Sequence, residues 1–178
     1  LLRVNNPTGS GLGSGQVQVN SGGTLGGTGS IAGLTTIADG GHLAPGASPG
    51  TLTFTGGLTL EENAVLDFEL GTLSDLIRVS GGTLSGPASG LVTLNLAAAS
   101  GFGPATYILF DFNGASLSNF SVASFQLGSA PVGYEYGLAL NGNTLELTAS
   151  LAAVPEVSTA ALCTGLLALG LAALRRKR

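Results

Sequence analysis

The chain has 178 residues and a formal net charge of −4, and only 9% of its residues are charged, against about a quarter in ordinary globular domains. Its 44% apolar content, combined with so little charge, is the opposite of the composition of disordered chains. Residues 1–153 contain two Arg against nine Asp and Glu, a net charge of −7, which excludes a surface that neutralises a row of nucleic-acid phosphates. A single Cys excludes an internal disulfide framework and a Cys-based metal site.

A short glycine-containing motif recurs along the first half of the chain. Residues 19–25 (VNSGGTL) return as residues 37–43 (IADGGHL), and further copies are 60–66 (LEENAVL) and 79–84 (VSGGTL). This period suits the coil of a parallel β-solenoid, in which each coil stacks its inward apolar residues on those of the next. The repeated leucines, at steps of 18, 23 and 18 residues, are Leu25, Leu43, Leu66 and Leu84.

The segments between these motifs alternate apolar and polar residues with a period of two, as strands with one buried face do. Thr fills many of the polar positions, and this β-branched residue is favoured on the solvated face of a strand. The predicted strands are 51–55, 58–60, 65–70, 91–96, 107–112 and 144–148.

A glycine- and proline-rich stretch gives the first resemblance to a known family. Residues 40–52 read GGHLAPGASPGTL and follow the similar GGTLGGTG of residues 22–29. Together they resemble autotransporter-associated β-strand repeats, over roughly residues 1–100, with 45–50 as the most specific part. The resemblance implies an exported passenger, and we expect an all-β fold: a right-handed parallel β-solenoid (β-helix) with a β-rich cap.

Residues 101–149 keep the strand pattern but lose the repeat and contain more aromatic residues. The terminal coil of a solenoid needs an atypical unit that closes the exposed end of the stack. We therefore predict solenoid repeats over 1–100, a β-rich terminal cap over 101–149 and a linker over 150–153.

The last residues differ from the rest of the chain. Residues 157–174 carry no charge, and as a helix they would be about 27 Å long, close to the roughly 30 Å of a bilayer core. They are apolar all round, whereas a helix packed in a protein core shows one apolar stripe. The pattern predicts a single C-terminal transmembrane helix over 157–174 in the inner membrane, with the body outside. The basic residues expected to hold this orientation on the cytoplasmic side are Arg175, Arg176, Lys177 and Arg178.

A short motif precedes this apolar run. Its order, Val-Pro-Glu-x-Ser-Thr, followed by an apolar segment and a basic end, resembles the PEP-CTERM sorting domain of Gram-negative bacteria over residues 154–178. The resemblance implies processing by an exosortase, a membrane-embedded cysteine protease, and transfer towards the cell surface and its exopolysaccharide. Val157 stands where the family most often has a second Pro. The implied sorting residues are Val154, Pro155, Glu156, Ser158 and Thr159.

Few residues are candidates for chemistry. Asp67 and Glu69 share one strand face and are expected to be solvated, and Asp75 and Arg78 are expected to form a surface pair. His42 holds a repeat position that Thr fills in other copies, which predicts a surface variant and not a catalytic base. The repeats also lack the Asp that a calcium-binding β-roll carries in every copy. We predict no enzyme activity, no cofactor and no metal site.

These observations predict a non-catalytic, exported cell-surface or matrix protein. Its expected partners are the inner membrane, an exosortase-type enzyme and exopolysaccharide, with no nucleic acid. Two alternatives remain: an adhesin or carbohydrate-binding passenger, or the spacer of an upstream polysaccharide-active enzyme. Because the sequence starts at Leu1 and contains no Met, we expect further repeats or domains before it.

Overall fold

The computed structural model describes residues 1–153. Within them the chain forms seventeen strands and one 3-10 turn, Val122–Ser124. The strands are β1 (Leu2–Arg3), β2 (Val17–Val19), β3 (Thr24–Gly27), β4 (Ser30–Ile31), β5 (Thr35–Ile37), β6 (His42–Pro45), β7 (Thr51–Phe54), β8 (Leu58–Leu60), β9 (Val65–Leu70), β10 (Leu76–Val79), β11 (Thr83–Ser85), β12 (Val92–Ala98), β13 (Ala105–Asp111), β14 (Ser116–Ser118), β15 (Phe125–Leu127), β16 (Tyr134–Asn141) and β17 (Thr144–Leu151).

The strands stack into three sheets. Sheet A has the order β1-β3-β6-β9-β12-β15, sheet B has β2-β5-β8-β11-β14, and sheet C has β4-β7-β10-β13-β17-β16. From β3 onwards the chain visits sheet A, then C, then B, and returns to A one strand further along, so each circuit is one coil. Pairing is parallel throughout, except where β17 joins β13 and β16 joins β17. This is an all-β fold with parallel sheets, consistent with a β-helix.

The core is a set of apolar rows that run from coil to coil. On sheet A, Leu25 pairs in register with Leu43, Leu43 with Leu66, and Leu66 with Leu94. All four side chains are at most 1% exposed. Burying a Leu side chain stabilises a fold by about 1.5–3 kcal/mol, so every coil added to the row supports its neighbours.

The glycine motif forms the corner between sheets B and A. Gly22, Gly40 and Asn63 occupy equivalent places there with φ of 74°, 66° and 56°, in the left-handed region. The Gly22 N–H donates to the Gly40 carbonyl at 2.8 Å, and the Gly40 N–H donates to the Asn63 carbonyl at 3.3 Å. Glycine adopts this conformation freely and asparagine is among the few other residues that tolerate it, which explains the degenerate third copy.

The predicted row of leucines is wrong at its last member. Leu84 lies in β11 on sheet B and pairs with Leu58, and Leu94 takes the next place above Leu66. The cause is that the motif turns the chain at two different corners, since Gly82 (φ 66°) precedes sheet B and not sheet A. The coils therefore lengthen, with steps of 18, 23 and 28 residues between successive leucines of the row.

The parallel stacking continues past residue 100 through β13, β14 and β15, and the division predicted there stays a prediction. Beyond β15 the chain forms an antiparallel hairpin that extends sheet C, with β17 inside and β16 at the edge. Aromatic rings pack beside it: Phe120 contacts Phe110 and Phe125 edge to face, each at 5.3 Å between centroids. Such pairs add about 0.5–1.5 kcal/mol beyond the area they bury.

The predicted fold class needs a correction in its last part. No helix among residues 1–153 is long and apolar enough to cross a membrane, and their one helical element is a three-residue turn. The helix predicted over 157–174 lies outside the described residues. That prediction rested on the length and hydropathy of the segment and on the basic residues after it, and eighteen residues are near the lower limit for a span. The fold of residues 1–153 is therefore all-β, and no transmembrane helix is part of it.

Candidate functional site

The outer face of sheet A carries a depression of about 470 Å³. Its middle is formed by Gly26 and Ala44, which are paired in register, and Arg3 lies beside Gly26 on the next strand. A Cβ added to Gly26 would lie 2.4 Å from the Ala44 carbonyl oxygen, so only glycine fits this place. Asp67 follows Leu66 as Ala44 follows Leu43, so it lies next to Ala44 on the neighbouring strand. It forms the side of the depression opposite Arg3. Small residues between two charged ones thus create the depression.

A row of bonded polar side chains crosses three strands, β6, β9 and β12, beside this depression. The His42 Nδ1 lies 2.8 Å from Asp67 Oδ2, and the Asn95 side-chain amide donates to Asp67 Oδ1 at 2.8 Å. The Ser129 backbone N–H donates to Asn95 Oδ1 at 3.0 Å. Because both oxygens of Asp67 accept hydrogen bonds from neighbouring coils, this carboxylate joins three coils together.

Asp75 is a buried carboxylate behind the same depression. It is 2% exposed, and it accepts from the Gly50 N–H at 2.9 Å and from the Glu69 N–H at 2.8 Å. Burial raises the pKa of Asp75 to about 6, against the opposite effect of the two backbone hydrogen bonds and with a further increase from the negative charge of Glu69. Asp75 therefore ties the loop over 46–50 to the end of β9.

The structure corrects the predicted pair of Asp75 and Arg78. Arg78 lies opposite Asp111 on the neighbouring strand, and its Nε donates to Asp111 Oδ2 at 3.0 Å. Closeness in sequence was misleading because Asp75 comes before β10 and points inward, whereas Arg78 lies on the outer face of that strand. The contact that forms spans 33 residues, one coil of the stack.

His42 and Asp67 were expected as separate solvated residues, and the structure brings them together. Both side chains are little more than one-third exposed. A signal for this contact was available in the repeat: His42 precedes Leu43 and Asp67 follows Leu66, which places them diagonally on adjacent coils. Such diagonal neighbours lie within reach of long side chains.

The side chains of the site are hydrogen-bonding groups that are largely paired with one another. Among residues 1–153, no group of three or more His, Cys, Asp and Glu side chains is placed to hold a metal ion. The imidazole, carboxylate and amide of the row are committed to one another, and Glu69 is exposed. The arrangement suits polar recognition at a surface.

The predicted sorting residues lie outside the described part of the chain. They are Val154, Pro155, Glu156, Ser158 and Thr159, with the basic residues Arg175, Arg176, Lys177 and Arg178.

Comparison with known proteins gives one informative similarity. No family model matches the chain. Over 118 residues the chain is 36% identical to the adhesin BmaC autotransporter of Brucella suis biovar 1 (strain 1330), which covers 61% of this chain. The chain spans only 3% of the length of that protein. The similarity is therefore to one segment of a much longer autotransporter adhesin.

Proposed function

We propose that this chain is a segment of an exported, non-catalytic, adhesin-like passenger displayed at the cell surface. The observation that carries the proposal is its 36% identity, over 118 residues, to part of an autotransporter adhesin. The stacked parallel coils support it, since a solenoid presents extended flat faces for binding while each coil needs only its neighbours for stability.

The chemistry of the acidic side chains also supports a role without catalysis. Asp67 and Asp75 each accept hydrogen bonds on both oxygens from groups of this chain. Carboxylates committed in this way hold coils together and are poorly placed to take up a proton from a substrate. Glu69 is the acidic residue of this face that remains exposed.

An adherence assay tests the proposal. Beads coated with the purified 178-residue chain are applied to epithelial cells and to surfaces coated with matrix proteins or glycans. We expect retention above that of albumin-coated beads. Beads carrying the Phe54→Ala variant, which loses a fully buried side chain, test whether retention requires the folded stack. Equal retention of the wild-type chain and albumin on every surface would contradict the proposal.

The motif over residues 154–159 supports a separate proposal, that an exosortase-type enzyme processes the chain on its way to the surface and its exopolysaccharide. In a host with such an enzyme, mass spectrometry of the surface-exposed form would locate its C-terminus. We expect a terminus near Pro155 and Glu156, and retention of the full C-terminus in the Glu156→Ala variant. A surface form that still ends at Arg178 would rule processing out. The Asp39→Ala variant, changed far from the motif, is the control.

A further inference from the structure

Within residues 1–153, the hairpin of β16 and β17 leaves one long strand edge unpaired. β16 has eight residues and ends the order of sheet C, whereas the other strands that end a sheet within residues 1–153 have two or three. Its pairing with β17 is regular over all eight residues. β16 contains one charged residue, Glu135, and neither Pro nor Lys, so it lacks the usual features that prevent strand edges from pairing.

The hydrogen-bonding groups at this edge can be assigned from the ladder. The Ala152 N–H donates to the Gly133 carbonyl at 3.0 Å, and bonded pairs alternate along an antiparallel ladder. The odd-numbered residues of β16 therefore bond to β17, and the even-numbered ones direct their N–H and C=O groups outward. In the described chain nothing else bonds to these groups. The residues whose backbone groups point away from β17 are Tyr134, Tyr136, Leu138 and Leu140.

We propose that β16 pairs antiparallel with β16 of a second copy of this chain, around a two-fold axis at Gly137. In this register Tyr136 lies opposite Leu138 of the other copy, and Tyr134 lies opposite its Leu140. All four are outward-bonding positions, so the register forms four bonded pairs, and shifting it by two residues leaves three. A one-residue shift would place outward groups against groups already bonded to β17.

The side chains of β16 also favour a second copy. Leu140 is 40% exposed and would meet Tyr134 of the other copy, beside Leu151, which is 67% exposed. Pairs of aromatic and aliphatic side chains stabilise antiparallel strands. Glu135 would lie opposite Ala139, and the two Glu135 residues would be about 14 Å apart, beyond the range of unscreened repulsion. The dimer would thus bury exposed apolar residues and bring no like charges together.

Gly137 provides a direct test, because the proposed axis places the two Gly137 residues opposite each other with their Cα atoms about 4.5 Å apart. A Cβ at this position has nothing within 4 Å in the single chain, so Gly137→Glu should fold normally. We expect sedimentation equilibrium of the full chain to show a dimer, and the variant to raise its dissociation constant at least about fivefold, since like charges directly opposite repel.

Thr148→Glu is the matched control. Thr148 pairs with Gly137 in the hairpin and is also exposed, so this variant adds the same charge to the same face, one strand away from the edge. We expect it to change the dissociation constant less than about twofold. Mixing the Gly137→Glu and Gly137→Lys variants should restore association to the wild-type level. A chain that is monomeric at all concentrations, or a dimer insensitive to Gly137→Glu, would overturn the proposal.

Cysteine cross-linking tests the register itself. In a Cys163→Ser background, Gly137→Cys should give a disulfide-linked dimer on mild oxidation, because the two Cα atoms fall within the range that a disulfide spans. Ala139→Cys should not, since its partner in this register is Glu135. Efficient cross-linking of Ala139→Cys without that of Gly137→Cys would disprove this register.

Discussion

The parallel stack and the terminal hairpin differ in how completely they bury their inward side chains. In the stack, inward side chains such as Leu43, Phe54 and Leu66 are fully buried because coils cover them on both sides. In the hairpin, β17 has a coil strand on one side, and β16 has no neighbour beyond it in the described chain. Its inward Tyr134, Tyr136 and Leu138 are only half-buried.

This contrast indicates which part of the fold contributes most to its stability. A buried position inside the stack depends on two neighbouring coils, so a defect there weakens several layers at once. A position on β16 has one neighbouring strand in the described chain and is otherwise in contact with solvent. We therefore expect the same substitution to have a much larger effect in the stack.

The largest contrast is expected for a buried aromatic residue. Phe54→Ala should lower the free energy of unfolding by about 3–5 kcal/mol, because it removes contacts from a fully buried position and leaves a cavity. Leu140→Ala, at a 40% exposed position of β16, should cost about 0.5 kcal/mol. Urea unfolding followed by circular dichroism measures both. Similar losses would show that the hairpin is as tightly supported as the stack.

Two glycines with similar backbones give a second contrast. Gly46 in the stack and Gly133 before the hairpin have φ of 90° and 87°, so alanine is strained at both. At Gly46 the new Cβ would also lie 2.2 Å from the Asp75 Oδ1, whereas at Gly133 nothing lies within 4 Å. We expect losses of about 3 kcal/mol for Gly46→Ala and about 1 kcal/mol for Gly133→Ala. Equal losses of stability in thermal unfolding would mean that backbone strain alone, and not the contact with Asp75, sets the cost of both substitutions.

Asp75→Asn should destabilise the fold by about 1–3 kcal/mol at neutral pH, because one of its two backbone donors then faces an NH₂ group. Differential scanning calorimetry at pH 7.5 measures this loss. Asp111→Asn, on the exposed face of sheet C, is the control for loss of a carboxylate. A smaller loss for Asp75→Asn than for Asp111→Asn would contradict the structural role of Asp75.

The pH dependence of Asp75 has a definite sign. Burial raises its pKa from 3.8 to about 6, so the folded chain binds the proton more tightly than the unfolded chain does. The stability that this provides is complete below the unfolded pKa and is lost as the pH rises through about 6. Urea unfolding at pH 4.5 and 7.5 should show a decrease for the wild type that is smaller for Asp75→Asn. An identical decrease in both would show that other groups cause it.

The smallest effect is expected at the Arg78–Asp111 pair. Arg78→Ala should change the free energy of unfolding by about 0.5 kcal/mol, because both side chains are partly exposed and solvent screens their attraction. Any effect should shrink in 0.5 M salt. A loss above that of Asp75→Asn would reverse the expected order of buried and exposed carboxylates.

The strands of the stack were largely predictable, because alternating residues report directly which face is buried. The predicted segments 58–60 and 65–70 coincide with β8 and β9. The placement of Leu84 was not predictable from the motif, because one glycine turn serves two corners. The length of a coil depends on its loops, and the composition of these loops shows no period. The predicted step of 18 residues after Leu66 was therefore wrong, and the observed step is 28.

The contacts of the candidate site were harder to predict than the strands. Asp67 and His42 are 25 residues apart, and Arg78 and Asp111 are 33 apart, so each pairing depends on the length of the coil between them. Asp75 was taken for a surface residue because nothing local marks it as buried. Its burial depends on contacts with distant residues, such as the bond from the Gly50 N–H in the loop over 46–50.

The lengthening coils have a mechanical consequence. The hydrogen bonds between coils run along the axis of the stack, so they carry a force that pulls its two ends apart in series, and the coils separate one at a time. Each coil would then release its own length of chain, about 60, 80 and 95 Å for steps of 18, 23 and 28 residues. A protein built in this way yields stepwise under tension and dissipates a sudden pull before the whole fold is lost.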